Sequence, residues 1–155
     1  MLIFTCAVFF FAACDDNRVF DKNLDFEQQA WMSGHKPEFE INIPDTTARY
    51  NIYFNLRNSL SYPFSRIFFT YYLEDSLGLV LNKQLMNYVV FDPKTGKPSG
   101  NSGLGDIYDH QVPLVQNHEF PYAGVHRIKL EHFMRTDTLA GVLAVGVRVE
   151  RSATE

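Results

Sequence analysis

Tyr50-Asn51-Ile52-Tyr53-Phe54-Asn55-Leu56-Arg57 sets Tyr50, Ile52, Phe54 and Leu56 against Asn51, Tyr53, Asn55 and Arg57 at strict period two. Successive strand side chains point to opposite faces, so this stretch reads as a strand with one face in a core and one towards water. The same pattern precedes it: Phe39, Ile41 and Ile43 alternate with Glu38, Glu40 and Asn42 until Pro44-Asp45 ends the run. Arg66–Leu73 (RIFFTYYL) and Leu85–Phe91 (LMNYVVF) are apolar on both faces, which predicts two central strands. Ile107–Leu114, Gly124–Phe133 and Ala140–Arg151 complete the strand set. Turn-type clusters stand between them at Asn58-Ser59, Asp75-Ser76-Leu77-Gly78 and Asp92-Pro93-Lys94-Thr95-Gly96. No sustained helical stripe and no internal repeat occurs. Seven or eight short strands predict an all-β fold, a single antiparallel β-sandwich of jelly-roll or immunoglobulin-like type.

Composition agrees. The sequence has 155 residues, with 46% hydrophobic and 21% charged, which suits one globular domain and excludes a disordered tail protein. Phe 14, Tyr 8 and Trp 1 are many large flat side chains, and sheet faces accept them well. Lys+Arg 14 against Asp+Glu 18 gives a net charge of −4 with no basic run. A nucleic-acid partner is therefore not expected, because gripping phosphates requires clustered Lys and Arg.

Met1 to Ala13 (MLIFTCAVFFFAA) carries no charge, and Asp15-Asp16-Asn17-Arg18 ends the apolar character abruptly after Cys14. The apolar stretch is shorter than the ~20 residues a spanning helix needs, and it ends in small residues as a signal peptide does. Phe11-Ala12-Ala13-Cys14 resembles the lipobox of bacterial lipoproteins, although Phe11 stands where Leu is usual and no Lys or Arg precedes the core. In such a box the Cys thiol is acylated and becomes the first mature residue. The reading divides the chain into a signal peptide (1–13), lipidated Cys14 with a short tether (14–24), and the sandwich (25–155). A buried N-terminal strand with a core cysteine is the alternative. If Cys6 is removed and Cys14 carries lipid, disulfides, cysteine catalysis and Cys-based zinc binding are excluded together.

Asp92 to Asp106 reads DPKTGKPSGNSGLGD, with four glycines and two prolines. A P-loop fails here, because Pro98 follows Gly96-Lys97 and Phe91 stands where the first glycine belongs. An EF-hand fails because Asp92 and Lys94 do not supply alternating oxygen ligands. Pro93 and Pro98 remove amide donors, so the segment is expected to cross one end of the sandwich. End loops carry contact surfaces, which makes Gly96, Lys97, Gly100, Asn101, Gly103 and Gly105 candidate partner contacts that contribute little to stability.

Chemistry-bearing patterns are absent. His126 and His132 share a strand face but stand about 20 Å apart at strand rise, too far for one metal. Asp106, Asp109 and His110 cluster in sequence, yet Asp109 and His110 must diverge as strand neighbours. His35 and His118 add no ligand spacing. No Gly-x-Ser-x-Gly elbow occurs, so no catalytic, metal or cofactor residue is assigned. Trp31 and the tyrosines allow two readings, core packing or an exposed platform for glycan rings.

The order of motifs resembles the GldH family of gliding motility lipoproteins. The likeness begins with the lipobox and acidic leader and continues through Trp31, Phe39-Glu40-Ile41 and Tyr50 to Asn58. It includes Tyr62-Pro63-Phe64, Gly100 to Ile107 and Phe120-Pro121-Tyr122-Ala123-Gly124, and it is most specific from His132 to Glu150. The resemblance implies a non-enzymatic envelope lipoprotein of the outer membrane, held by its N-terminal lipid. It also implies other envelope motility or secretion proteins as partners and no cofactor. The rival reading is a glycan- or ligand-binding envelope lipoprotein using surface aromatics.

Overall fold

A computed structural model describes residues 17–153. Eleven strands occur among them: β1 (Arg18–Asp25), β2 (Ala30–Met32), β3 (Glu38–Ile43), β4 (Tyr50–Ser59), β5 (Arg66–Asp75), β6 (Val80–Val89), β7 (Asn101–Ser102), β8 (Ile107–His118), β9 (Gly124–His132), β10 (Thr138–Ala140) and β11 (Val142–Arg151). They form a five-stranded sheet, β1-β11-β4-β8-β7, a four-stranded sheet, β3-β9-β5-β6, and a two-stranded ribbon, β10-β2. Every pairing is antiparallel. The protein is a β-sandwich.

Period-two alternation places the core. From the five-stranded sheet, Ile52, Phe54 and Leu56 face inward beside Val145, Val147 and Val149, their partners across β4 and β11. Opposite them stand Phe39 and Ile41 of β3, Ile128 and Leu130 of β9, and Ile67, Phe69 and Leu73 of β5. The Phe54 and Phe69 rings meet across the sheets with centroids 4.2 Å apart. Each such side chain contributes roughly 1.5–3 kcal/mol by leaving water. The outward face of the four-stranded sheet is a charge ladder in which Lys129 reaches Glu74 at 2.8 Å and Lys36 reaches Glu131 at 2.9 Å.

Four local readings are corrected. Residues 18–24, expected as tether, are strand: β1 pairs with β11 from Arg18↔Glu150 to Asp25↔Ala144. An outermost strand may be polar on both faces, which is why β1 reads as linker. Leu85–Phe91, expected at the centre, belongs largely to β6, the outermost strand of its sheet, and Leu85 is 52% exposed. Asn58-Ser59 is not a turn but the end of β4. The last run is broken at Gly141 into β10 and β11. The Cys6 and Cys14 readings lie outside the described residues.

Topology gives the sandwich two distinct ends. β3 and β4 are joined by 44–49, β5 and β6 by 76–79, and β8 and β9 by 119–123, all at the end where the chain enters at Asn17. The Asn17 carbonyl accepts the Arg151 amide there at 2.8 Å. The opposite end carries connections 60–65, 90–106 and 133–137.

Candidate functional site

The connection from β6 to β8 passes from one sheet to the other, as its prolines and glycines require. It is well ordered. The Asp92 carboxylate accepts the amides of Lys94 and Thr95, both at 2.8 Å, which holds it below the usual carboxylate range. Gly96 takes φ 70°, and its amide donates to the Asp92 carbonyl, closing a tight turn. Phe91 then bridges to Pro98, and β7 pairs with β8 through Asn101↔Asp109 and Ser102↔Tyr108.

Gly100 explains itself by contact. A Cβ there would stand 2.6 Å from both the Asp109 carbonyl oxygen and Cε1 of His110. Between Pro98 and Ser102 the segment is packed and paired, unlike the free connection expected to matter little to stability. Replacing Thr95–Leu104 by a short link would remove β7 and uncover the β8 edge. The tip is different: Lys94, Thr95, Gly96 and Lys97 are exposed, as are Asn101, Gly103 and Gly105. The candidate contact residues thus divide into a free tip, an edge and one packed glycine.

Under Gly100 lies a buried polar network. His110 Nε2 donates to Asn58 Oδ1 at 2.7 Å, because an amide oxygen only accepts. Nδ1 therefore accepts from the Tyr88 hydroxyl at 3.1 Å. Asn58 in turn donates to the Ser59 carbonyl at 2.9 Å. Burial pushes the His110 pKa down to about 4, so the ring is neutral. The network ties β4 and β8 to β6 across the sandwich. Asp109 points the other way, as strand alternation demands, and pairs with Arg57 at 2.7 Å.

Sequence reasoning missed the apolar surface beside this connection. Phe64, Phe68, Leu85, Phe133 and Met134 line one depression, rimmed by Arg135. A second depression shares Phe64 and runs through Leu60, Pro93 and Gly96 to the Gly-rich tip. The signal was present in the outward positions of two runs that read as apolar throughout, Phe68 of β5 and Leu85 of β6. What was missing was the knowledge that, among the described residues, no further strand covers them.

The aromatic platform reading loses its leading residue. Trp31 is fully buried, stacked 6.0 Å from Phe26 and edge-on to His132 at 5.3 Å, with Nε1 donating to the His35 carbonyl at 2.7 Å. Tyr50, Tyr62 and Tyr71 are buried too. Core packing is the correct reading for these four. Among the described residues, no three His, Cys, Asp or Glu side chains converge so as to hold a metal ion.

The described features are surfaces on a β-sandwich: a hydrogen-bonded Gly-rich connection, an apolar depression beside it and a buried network beneath. Such a chain falls in the class of β-sandwich modules that present loops and faces. The GldH lipoprotein family model matches residues 18–149, and the chain belongs to that family. It is 25% identical to the gliding motility lipoprotein GldH homolog of Christiangramia forsetii over 98% of this chain and 95% of that one. It is 26% identical to the gliding motility lipoprotein GldH of Flavobacterium johnsoniae over 97% of this chain and 94% of that one. Among solved structures, the infectious bursal disease virus VP2 subviral particle overlays with a TM-score of 0.37 at 14% identity, covering 97% of this chain and 42% of that one. That overlay is too loose to carry an argument.

Proposed function

We propose that the protein is a non-catalytic, lipid-anchored component of the cell envelope that serves a gliding motility or associated secretion apparatus from the outer membrane. The family match from residue 18 to 149, with relatives along nearly the whole chain named gliding motility lipoproteins, carries the reading. The apolar N-terminus ending in Ala12-Ala13-Cys14 supports the anchor, with Cys14 as the acylated residue. Two or more acyl chains hold a protein firmly where one would exchange.

Cys14→Ala should leave an unprocessed chain without acyl label and displaced from the outer-membrane fraction. An unchanged mature mass with normal fractionation in that variant would remove the anchor from the reading.

Partners meet the end that carries the Gly-rich tip and the apolar depression, because a rigid sandwich holds these surfaces in position. Lys94→Glu with Lys97→Glu reverses two exposed charges at the tip. Exposed substitutions usually change stability by about 0.5 kcal/mol or less, so the melting midpoint should barely move. Capture of envelope partners from solubilised membranes should nevertheless weaken. Undiminished capture, together with normal surface motility, would show the tip to be a connector only.

A further inference from the structure

The end of the sandwich where the chain enters carries its own apolar feature. The β5–β6 turn presents Leu77 at 92% exposure and Leu79 at 65%, followed by Val80 at 46%. Three neighbouring apolar side chains in water are uncommon on a turn, where polar residues suffice. This turn is also fixed. Asp75 Oδ1 accepts the amides of Leu77 and Leu79, both at 2.8 Å, and the Gly78 amide donates to the Asp75 carbonyl at 3.1 Å. The Ser76 amide donates to the Tyr122 hydroxyl at 3.1 Å, and the Tyr122 ring stacks on His126 at 4.4 Å. Gly78, at φ 86°, supplies the left-handed residue that the turn requires. The leucines are therefore held outward by a braced frame.

What they face follows from the chain that precedes the described residues. Strand β1 begins at Arg18, and Asn17 is held by Arg151 at the same end as the 76–79 turn. Only Asp15, Asp16 and Asn17 separate Cys14 from β1. Three residues reach at most about 11 Å. A lipid on Cys14 therefore brings this end, not the Gly-rich end, against the bilayer. Interfacial anchors sink apolar side chains about 5–10 Å into the headgroup and acyl boundary, within the reach of two leucines on a protruding turn.

We propose that the turn carrying Leu77 and Leu79 docks into the surface of the bilayer that holds the Cys14 lipid, giving the sandwich a fixed orientation on the membrane. The proposal rests on the Cys14 anchor. Docking converts a lipid leash into a two-point attachment, and it aims the Gly-rich tip and the apolar depression away from the membrane, towards partners.

The test uses the processed, lipidated chain in vesicles of phosphatidylethanolamine and phosphatidylglycerol. Leu77→Cys and Leu104→Cys receive the same nitroxide. The two sites are 92% and 90% exposed in the protein and lie at opposite ends, so they form a matched pair. Cys14 is blocked by its lipid, leaving one free thiol in each variant. The ratio of collisions with dissolved oxygen to collisions with a water-soluble nickel chelate should be severalfold higher at 77 than at 104. Adding Leu79→Asp should lower the ratio at 77 towards that at 104. A chain that floats with the vesicles but shows equal ratios overturns docking and leaves the anchor intact. A chain that neither floats nor carries acyl mass overturns both.

Discussion

Gly141→Val is expected to lower the melting midpoint by about 10 °C, the loss of roughly 3 kcal/mol in a domain of this size. Two effects combine. Gly141 takes φ 79°, and a side chain in the left-handed region costs about 1–2 kcal/mol. A Cβ would also stand 2.6 Å from the Tyr62 Cα and 2.7 Å from its amide nitrogen, and backbone atoms cannot rotate aside. Overpacking of that kind costs typically 1–3 kcal/mol more. The position is a junction as well, since the Gly141 amide donates to the Gln29 carbonyl and its own carbonyl accepts the Ser59 amide, both at 2.9 Å. Gly34→Ala is the control, because nothing lies within 4 Å of a Cβ there and no left-handed φ is involved. Thermal circular dichroism of both variants decides the matter. A Gly141→Val midpoint no lower than that of Gly34→Ala would show that β10 and β11 absorb the side chain.

The same glycine marks where sequence reading stopped. Leu139-Ala140-Gly141-Val142 continues an apolar run, and local pattern sees one strand. Only the approach of Tyr62, distant in sequence, reveals that the chain must turn there. Strand order escaped for the same reason. The inward residues of β3, β4 and β5 were legible because one buried face imposes period two whatever lies alongside. Leu85–Phe91 is as apolar as the interior of β5, yet it ends a sheet, because neighbours are set by β3-β9-β5-β6 pairing and not by the run itself. β1 failed in the opposite sense, for Asp21-Lys22-Asn23 is polar but still pairs residue by residue with β11. Trp31 followed general burial, and the packed state of Gly100 depended on His110 lying beneath it. The candidate contact tip was legible from Pro and Gly alone, whereas the apolar depression and the Leu77 turn required knowing which faces stay uncovered.

Acid should destabilise the protein steeply between pH 6.5 and 4, and His110 should supply the largest single share. Its folded pKa of about 4 lies below the ordinary value of 6.5, so the unfolded chain binds the proton first as pH falls. Stability from the neutral ring is complete above pH 6.5 and is lost progressively down to about pH 4, an amount on the order of 3 kcal/mol. Burial gives the reason: a charged ring would lose its hydration there, and the Tyr88 hydroxyl, which can turn to accept from a protonated Nδ1, does not replace that water. His118, His126 and His132 are also lowered by burial, and His118 is lowered further by His126. They add to the loss as pH falls below 6.5. Trp31 is the sole tryptophan and is fully buried, so its emission should shift to the red as the fold opens. Urea unfolding followed at Trp31 at pH 7.5 and pH 5 measures the upper part of that loss, about 2 kcal/mol. In His110→Gln the amide can keep a bond to Asn58 without titrating, so that variant should be less stable at pH 7.5 but lose less between the two pH values. Equal losses in both proteins would place the acid sensitivity in the other three histidines and remove His110 from the account.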